Sequence, residues 1–247
     1  MGTTTPRHGR TSRVGDPGSG RTDRLIGRRS ELDTLERALE RVRTTASSWV
    51  AIRGEPGIGK TRLLDELAAR ADSRGFLVLA GRGLDLDHDV PFAAVVEALD
   101  DYLAAIEPDH LCGLGHERLH ELAAVFPALR APIEVASPDR APTGAADAGS
   151  EPVPAERYRT HRAIRALLEL LAAPQPLALV IDDVHWADPG SVELLASLIR
   201  RPPRARVLLA FASRRHALPE SVAAACATSG WDEDAGAQLD LGSLDRT

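Results

Sequence analysis

The stretch WVAIRGEPGIGKTRLLDELAARA, residues 49–71, decides how the chain folds. Its first five residues are apolar apart from Arg53 and predict a short strand, which ends at Gly54 in a glycine-rich turn. Apolar residues then recur at helical spacing from about Lys60 to Ala71. The stretch therefore predicts a strand, a loop and a helix in immediate succession.

The loop of this stretch matches the pattern G-x-x-x-x-G-K-[ST] at every fixed position. It consists of Gly54, Glu55, Pro56, Gly57, Ile58, Gly59, Lys60 and Thr61. The glycines allow backbone amides to converge on anionic oxygens, and the helix that begins beside them adds its positive end. We interpret the loop, together with Arg62 directly after it, as a cradle for the phosphates of ATP.

Two side chains of the loop have separate expected roles. Lys60 is the only lysine in the chain, so a sequence that otherwise uses arginine places a compact ammonium where β- and γ-phosphates would lie. The hydroxyl of Thr61 is expected to take one coordination position on Mg²⁺. Both residues therefore belong to the predicted site for ATP and magnesium.

A second stretch, LALVIDD at residues 177–183, predicts a buried strand that ends in two carboxylates. We expect Asp182 to hold Mg²⁺ through water and Asp183 to polarise the water that attacks the γ-phosphate. A further strand over residues 207–212 is followed by Ser213 and Arg214. Arg214 is the candidate for a residue that contacts the γ-phosphate.

The remaining patterns set the fold class. Helical spacing predicts helices over residues 31–43, 92–106, 117–125, 156–173 and 188–200, and apolar runs predict strands over residues 76–80, 177–181, 207–212 and 237–241. Strands that alternate with helices predict an α/β protein with a parallel sheet covered on both faces. We predict a P-loop NTPase fold with five parallel strands sandwiched by helices, and the likeness to the P-loop branch with an added central strand implies the order 5-1-4-3-2.

Composition bounds the organisation of the chain. Its 247 residues are 43% hydrophobic with a net charge of −6, and no apolar run approaches the ~20 residues of a membrane helix. Residues 1–24 are rich in arginine and predict a disordered basic tail, and residues 25–247 predict one domain with a mobile insertion at about 131–155. Two isolated cysteines fit a reducing cytoplasm, so we expect a cytoplasmic protein without membrane contact.

Four segments carry a resemblance to a known family. They are LIGRRSEL at residues 25–32, the loop at 54–61, the segment from Glu156 to Leu171, and DDVHWAD at 182–188. In these segments the chain resembles the AAA-like signal-transduction ATPases with numerous domains (STAND), and among them the large LuxR-type transcriptional regulators. The string DDVHWAD is the most specific of the four to that family.

The resemblance implies an ATP-driven switch in which ATP favours self-association and slow hydrolysis to ADP resets the protein. It also implies that Ile26 and Gly27 line the adenine pocket. DNA binding in that family belongs to a C-terminal helix-turn-helix, and nothing in this chain is suited to read DNA. The chemistry of His185 and Trp186 gives neither residue a role at this stage.

Other functions remain open alternatives. A small-molecule or nucleotide kinase uses the same cradle but needs an acceptor pocket and usually a mobile lid with arginines, neither of which is clear in the sequence. A scaffold that binds nucleotide without turning it over is a third class. A GTPase is disfavoured because the chain contains no asparagine for an N-K-x-D motif, and a transporter ATPase because the L-S-G-G-Q signature is absent.

Overall fold

The computed structural model describes residues 27–44, 47–87, 89–130, 154–228 and 236–243. The strands in these ranges are β1 Ser48–Gly54, β2 Leu77–Arg82, β3 Leu177–Asp182, β4 Val207–Ser213 and β5 Gly236–Leu241. The α-helices are α1 Arg29–Thr44, α2 Lys60–Ser73, α3 Ala93–Ala105, α4 His116–Val125, α5 Pro154–Leu171, α6 Pro189–Arg200 and α7 Glu220–Thr228.

The five strands form one parallel sheet in the order β2-β3-β4-β1-β5. This order, read from the other edge, is the predicted 5-1-4-3-2, so the fold prediction is confirmed. β1 lies between β4 and β5, with Val50 opposite Ala210 on one side and Ala237 on the other. The carboxyl ends of β1, β3 and β4 therefore meet at the same edge of the sheet.

Helices cover both faces of the sheet. α1 and α2 pack on one face, where Val50, Ile52, Val180 and Ala210 point. Helices α3 to α7 contribute to the other face, which receives the alternate residues of the same strands, including Ala51. Because β3 and β4 are buried at every position, their sequences are continuous apolar runs rather than alternating ones.

Some details differ from the predictions. α7 was not predicted, because its four alanines give little contrast between an apolar and a polar face. α3 begins after Phe92, whose left-handed backbone (φ 62°) is held by a hydrogen bond from its amide to the carboxylate of Asp188 at 2.6 Å. The predicted basic tail and most of the predicted insertion lie outside the described residues, and α5 already includes residues 154 and 155.

No helix within the described ranges combines the length and the apolar character needed to cross a bilayer.

Candidate nucleotide-binding site

The phosphate loop joins the end of β1 to the start of α2, as the sequence predicts. Gly57 and Gly59 have φ angles of 73° and 100°, a left-handed conformation that glycine adopts without strain. No heavy atom lies within 4 Å of the position that a Cβ would take at either glycine. Gly59 also caps α2 without a side chain, so the amides of the first helical turn face open space suited to an anion.

The ammonium of Lys60 lies inside the phosphate loop and binds its backbone. Lys60 is 7% exposed, and its Nζ donates to the carbonyl oxygens of Gly54 at 3.1 Å and Glu55 at 3.0 Å. These carbonyls are weak partners for a full positive charge compared with phosphate oxygens. Lys60 is therefore a buried cation positioned beside the open space above the loop.

Thr61 and Asp182 bring the two predicted halves of the site into contact. The hydroxyl of Thr61 donates to Oδ2 of Asp182 at 2.7 Å, although the two residues are 121 positions apart in sequence. Oδ1 of Asp182 accepts from the amide of Asp183 at 2.8 Å, which fixes the carboxylate at the end of β3. A hydroxyl and a carboxylate at this distance form the type of oxygen donor set that Mg²⁺ prefers.

Asp183 follows β3 in a left-handed conformation with φ of 49°. Its Oδ2 accepts from Nη2 of Arg82 at 2.5 Å and from Nε of Arg82 at 3.1 Å. The hydrogen bond to Asp183 raises the pKa of the Arg82 guanidinium, so this arginine stays charged. The predicted water-activating carboxylate is thus paired with a cation from the neighbouring strand.

Arg214 and Trp186 also line the cleft. The guanidinium of Arg214 lies over the indole ring of Trp186 at 5.4 Å, and Trp186 is 37% exposed. Next to them, burial lowers the pKa of His185, with the positive charges of Arg214 and Lys60 acting in the same direction and Asp183 opposing it. The site therefore favours the neutral form of the His185 imidazole.

These groups surround a single cleft of about 490 Å³. Its lining residues are Pro56, Gly57, Gly59, Lys60, Thr61, Arg62, Asp65, Arg82, Asp183, Trp186 and Arg214. A volume of this size falls within the range of about 300–1,000 Å³ that small-molecule sites occupy. The cleft lies at the carboxyl edge of the parallel sheet, where open α/β sheets place their ligands.

A second arrangement supports the phosphate loop from behind. Arg28 is buried and donates to Oε1 of Glu31 at 2.9 Å, to the carbonyl of Ile58 at 3.3 Å and to the carbonyl of Gly242 at 2.8 Å. Arg215 donates to the preceding carbonyl, that of Leu241, at 3.4 Å. Two arginines from different segments therefore hold the carboxyl end of β5 next to the phosphate loop.

Most predicted site residues come together around this cleft. Lys60, Thr61, Arg62, Asp183 and Arg214 line it. Asp182 is buried directly behind Thr61. Gly54, Glu55 and Ile58 form the back of the loop, where the side chain of Ile58 packs against Gly54. Gly27 is described and exposed, whereas Ile26 lies outside the described residues, so the adenine-pocket prediction stays a prediction.

Sequence reasoning missed Arg82 and Asp65. Arg82 ends β2, and the predicted strand order places β2 beside β3. The position of this arginine near the end of β3 could therefore have been inferred from that order. Asp65 lies one turn into α2 and faces the cleft; burial and the nearby charge of Asp182 raise the pKa of Asp65. Helical spacing alone does not indicate that this carboxylate faces the site.

Comparison with known proteins gives one family match and several distant similarities. The family model for the AAA ATPase domain matches residues 24–210. An uncharacterized protein of Rhizobium meliloti (strain 1021) is 30% identical over 197 residues, which is 77% of this chain but only 18% of that protein.

The similar solved structures include Cdc6p from Pyrobaculum aerophilum, with a TM-score of 0.48 and 14% identity over 92% of this chain and 48% of that chain. They also include the ORC2 protein of Aeropyrum pernix, with a TM-score of 0.47 and 15% identity over 88% of this chain and 48% of that chain. The chain thus spans about half the length of these structures and less than a fifth of the bacterial relative. The match to the family model covers most of the chain and includes the whole cleft except Arg214, and it shows that the chain belongs to the AAA ATPase domain family.

Proposed function

We propose that the chain is an ATP-dependent regulatory switch that binds ATP with Mg²⁺ and hydrolyses it slowly. The observation that carries the proposal is the 2.7 Å contact between Thr61 and Asp182 beside the buried ammonium of Lys60. It joins a phosphate cradle to an acidic strand end in one cleft, which is the combination that nucleotide hydrolysis requires.

The residues fit ATP and Mg²⁺. The open space above Gly57 and Gly59 suits phosphate oxygens, and Lys60 supplies the positive charge next to it. Thr61 and Asp182 would hold Mg²⁺, directly or through water. When bound, the ion neutralises charge on the phosphate oxygens. Ile26 and Gly27 are proposed to line the adenine pocket, in keeping with the family resemblance.

Asp183 is the residue proposed to act on water. The water oxygen forms a bond to the γ-phosphorus while the bond from that phosphorus to the β–γ bridging oxygen breaks, and its electron pair stays on ADP. The proton released by the water passes to Asp183 and then to solvent, which leaves ADP and inorganic phosphate. Lys60 and Arg214 stabilise negative charge on the phosphates during this step.

The pairing of Asp183 with Arg82 supports slow rather than fast turnover. Two hydrogen bonds from a guanidinium occupy Oδ2 of Asp183, so this oxygen is less available to form a hydrogen bond with the attacking water. A slow ATPase stays in its ATP-bound form for a long time, and the hydrolysis rate sets how long that form lasts. This is the behaviour that a switch needs.

Nucleotide binding is tested by isothermal titration calorimetry with ATP and MgCl₂. We expect Lys60→Ala to abolish measurable binding, because it removes the buried cation beside the phosphate cradle. Arg43→Ala is the matched control, since it removes an exposed cation that pairs with Glu40 on α1 outside the site. Equal affinities for wild type and Lys60→Ala would contradict the proposal.

Hydrolysis is tested by phosphate release without any added acceptor. Asp183→Asn should bind Mg·ATP with an affinity close to wild type but release phosphate at least about 100-fold more slowly, in the range typical of a lost general base. A protein that releases phosphate only when a small-molecule acceptor is present would instead support the kinase alternative. Binding without turnover in the wild type would support a nucleotide-binding scaffold.

The wider role is proposed from the resemblance to LuxR-type regulators. In this proposal ATP binding promotes self-association in the cytoplasm. Contact with DNA is made only by domains that are not part of this sequence. Light scattering with Mg·ATP and with Mg·ADP tests the first part. An unchanged mass in both nucleotides would contradict nucleotide-dependent self-association.

A further inference from the structure

His185 is a buried imidazole that the proposed chemistry does not use. It lies in the short 3₁₀ helix Val184–Trp186 that follows Asp183, and its side chain is only 5% exposed. Within the described part of the chain, neither ring nitrogen has a hydrogen-bond partner. Nδ1 of His185 lies 3.9 Å from Oδ1 of the Asp183 carboxylate.

A buried polar group without a partner is costly. An unsatisfied donor or acceptor destabilises the folded state, and a leucine would fill similar space without that penalty. Burial lowers the pKa of the imidazole and so favours its neutral form, in which one nitrogen carries a proton and can donate while the other can only accept. The position of this donor next to Asp183 therefore calls for a functional explanation.

The two oxygens of Asp183 face different partners. Oδ2 is held by Arg82 at 2.5 Å, whereas Oδ1 faces His185 at a distance too long for a hydrogen bond. A shift of about 1 Å that closes this gap would bring Oδ1 within hydrogen-bonding range of Nδ1. Each oxygen of Asp183 thus lies near a different potential donor, Arg82 for Oδ2 and His185 for Oδ1.

We propose that His185 is a positioning residue that donates from Nδ1 to Oδ1 of Asp183 and so directs Oδ2 toward the attacking water. A neutral donor orients the carboxylate without neutralising it, whereas the guanidinium of Arg82 holds the same carboxylate as an ion pair. This inference rests on the proposed function, in which Asp183 activates water. His185 itself touches neither water nor phosphate in this role.

The test compares three substitutions that separate the two ring nitrogens. His185→Asn keeps a donor near the position of Nδ1, His185→Gln places its amide near Nε2, and His185→Leu removes both polar groups at similar size. We expect kcat for ATP hydrolysis to fall roughly tenfold or more in His185→Leu and His185→Gln, and by less than about threefold in His185→Asn. The KM for Mg·ATP should stay near the wild-type value in all three.

A double-mutant cycle with Asp183→Asn separates this inference from the proposed function. In that background His185→Leu should cause no further loss of kcat, because the carboxylate that it positions is gone. If Asp183→Asn itself leaves hydrolysis intact, the proposed role of Asp183 in activating water fails. If Asp183→Asn is inactive while all three His185 variants keep wild-type kcat, only the positioning role fails.

A structural role alone would produce a different pattern. His185 would then matter through packing, so His185→Asn and His185→Gln would lose kcat equally and in proportion to their loss of thermal stability. Should His185→Leu fail to fold, the comparison of the two polar variants still decides the question. Equal rates for His185→Asn and His185→Gln would overturn the inference.

Discussion

The pair formed by Arg82 and Asp183 is the residue-scale feature with the most direct effect on activity. Arg82 ends β2 and reaches across to the first residue after β3, where it donates twice to the carboxylate proposed to activate water. The side chain of Arg82 is 44% exposed, so it can leave the carboxylate without unpacking the core. The pair therefore restrains Asp183 without being essential to the fold.

Arg82→Met should raise the rate of ATP hydrolysis. It frees Asp183 from the ion pair, and a gain of up to about tenfold corresponds to about 1.4 kcal/mol of transition-state stabilisation. Phosphate release at saturating Mg·ATP is the measurement. Arg74→Met is the matched control, because it removes an arginine that pairs with Glu36 away from the cleft. A rate as low as that of Asp183→Asn would show instead that Arg82 is needed for hydrolysis.

At this scale the sequence predicted the residues that belong to motifs. Lys60, Thr61 and Asp182 occupy fixed positions in short patterns, and their mutual geometry follows once β1 and β3 lie in the same parallel sheet. Arg82 and His185 could not be assigned in this way. Their contacts with Asp183 depend on the neighbouring strand and on a left-handed turn, neither of which short-range patterns specify.

At the scale of elements, the junction behind the phosphate loop connects three segments that are distant in sequence. Arg28 precedes α1, Ile58 belongs to the phosphate loop, and Gly242 follows β5. The guanidinium is buried and also pairs with Glu31 inside the first turn of α1. Burial alone would raise the pKa of the Glu31 carboxyl, but hydrogen bonds from Ser30 and Arg28 together lower it below its ordinary value.

Arg28→Ala should destabilise the protein and weaken nucleotide binding. Removing the guanidinium takes away a donor from the carbonyls of Ile58 and Gly242 and from Oε1 of Glu31, and hydrogen bonds to charged groups of this kind are worth about 2 kcal/mol. Urea denaturation followed by circular dichroism measures the loss in unfolding free energy. Arg29→Ala is the control, since Arg29 is the exposed neighbour. Equal unfolding midpoints for the two variants would argue against the junction.

The elements themselves were largely predictable because each has a strong local pattern. The continuous apolar runs of β3 and β4 and the apolar stripe of α1 left little ambiguity, and their predicted bounds differ from the observed ones by one or two residues. α7 lacks such a stripe, and its contacts with α6, rather than a local sequence pattern, hold it in place. Local patterns therefore fail where small residues leave the choice of structure to packing.

At the scale of the whole molecule, nucleotide binding should stabilise the entire sheet. The cleft is built from β1, β2, β3, β4 and α2, so a ligand that binds only the folded state must be released before any of them unfolds. A ligand at 100 times its Kd adds about 2.7 kcal/mol to the unfolding free energy.

Mg·ATP should therefore raise the melting temperature by at least about 5 °C in a domain of this size. Differential scanning fluorimetry with and without nucleotide measures the shift. Lys60→Ala serves as the control and should show no shift. A wild-type protein that melts at the same temperature with and without Mg·ATP would contradict nucleotide binding.

The hydrogen bonds from Arg28 and Arg215 to the carbonyls of Gly242 and Leu241 also have a practical use. Ser243 is exposed and lies next to Gly242, which Arg28 connects to the back of the phosphate loop. An environment-sensitive dye attached at position 243 would sit outside the cleft yet respond to movement of the loop. The fold thus offers a site for building a fluorescent sensor of nucleotide occupancy that leaves the cleft itself unmodified.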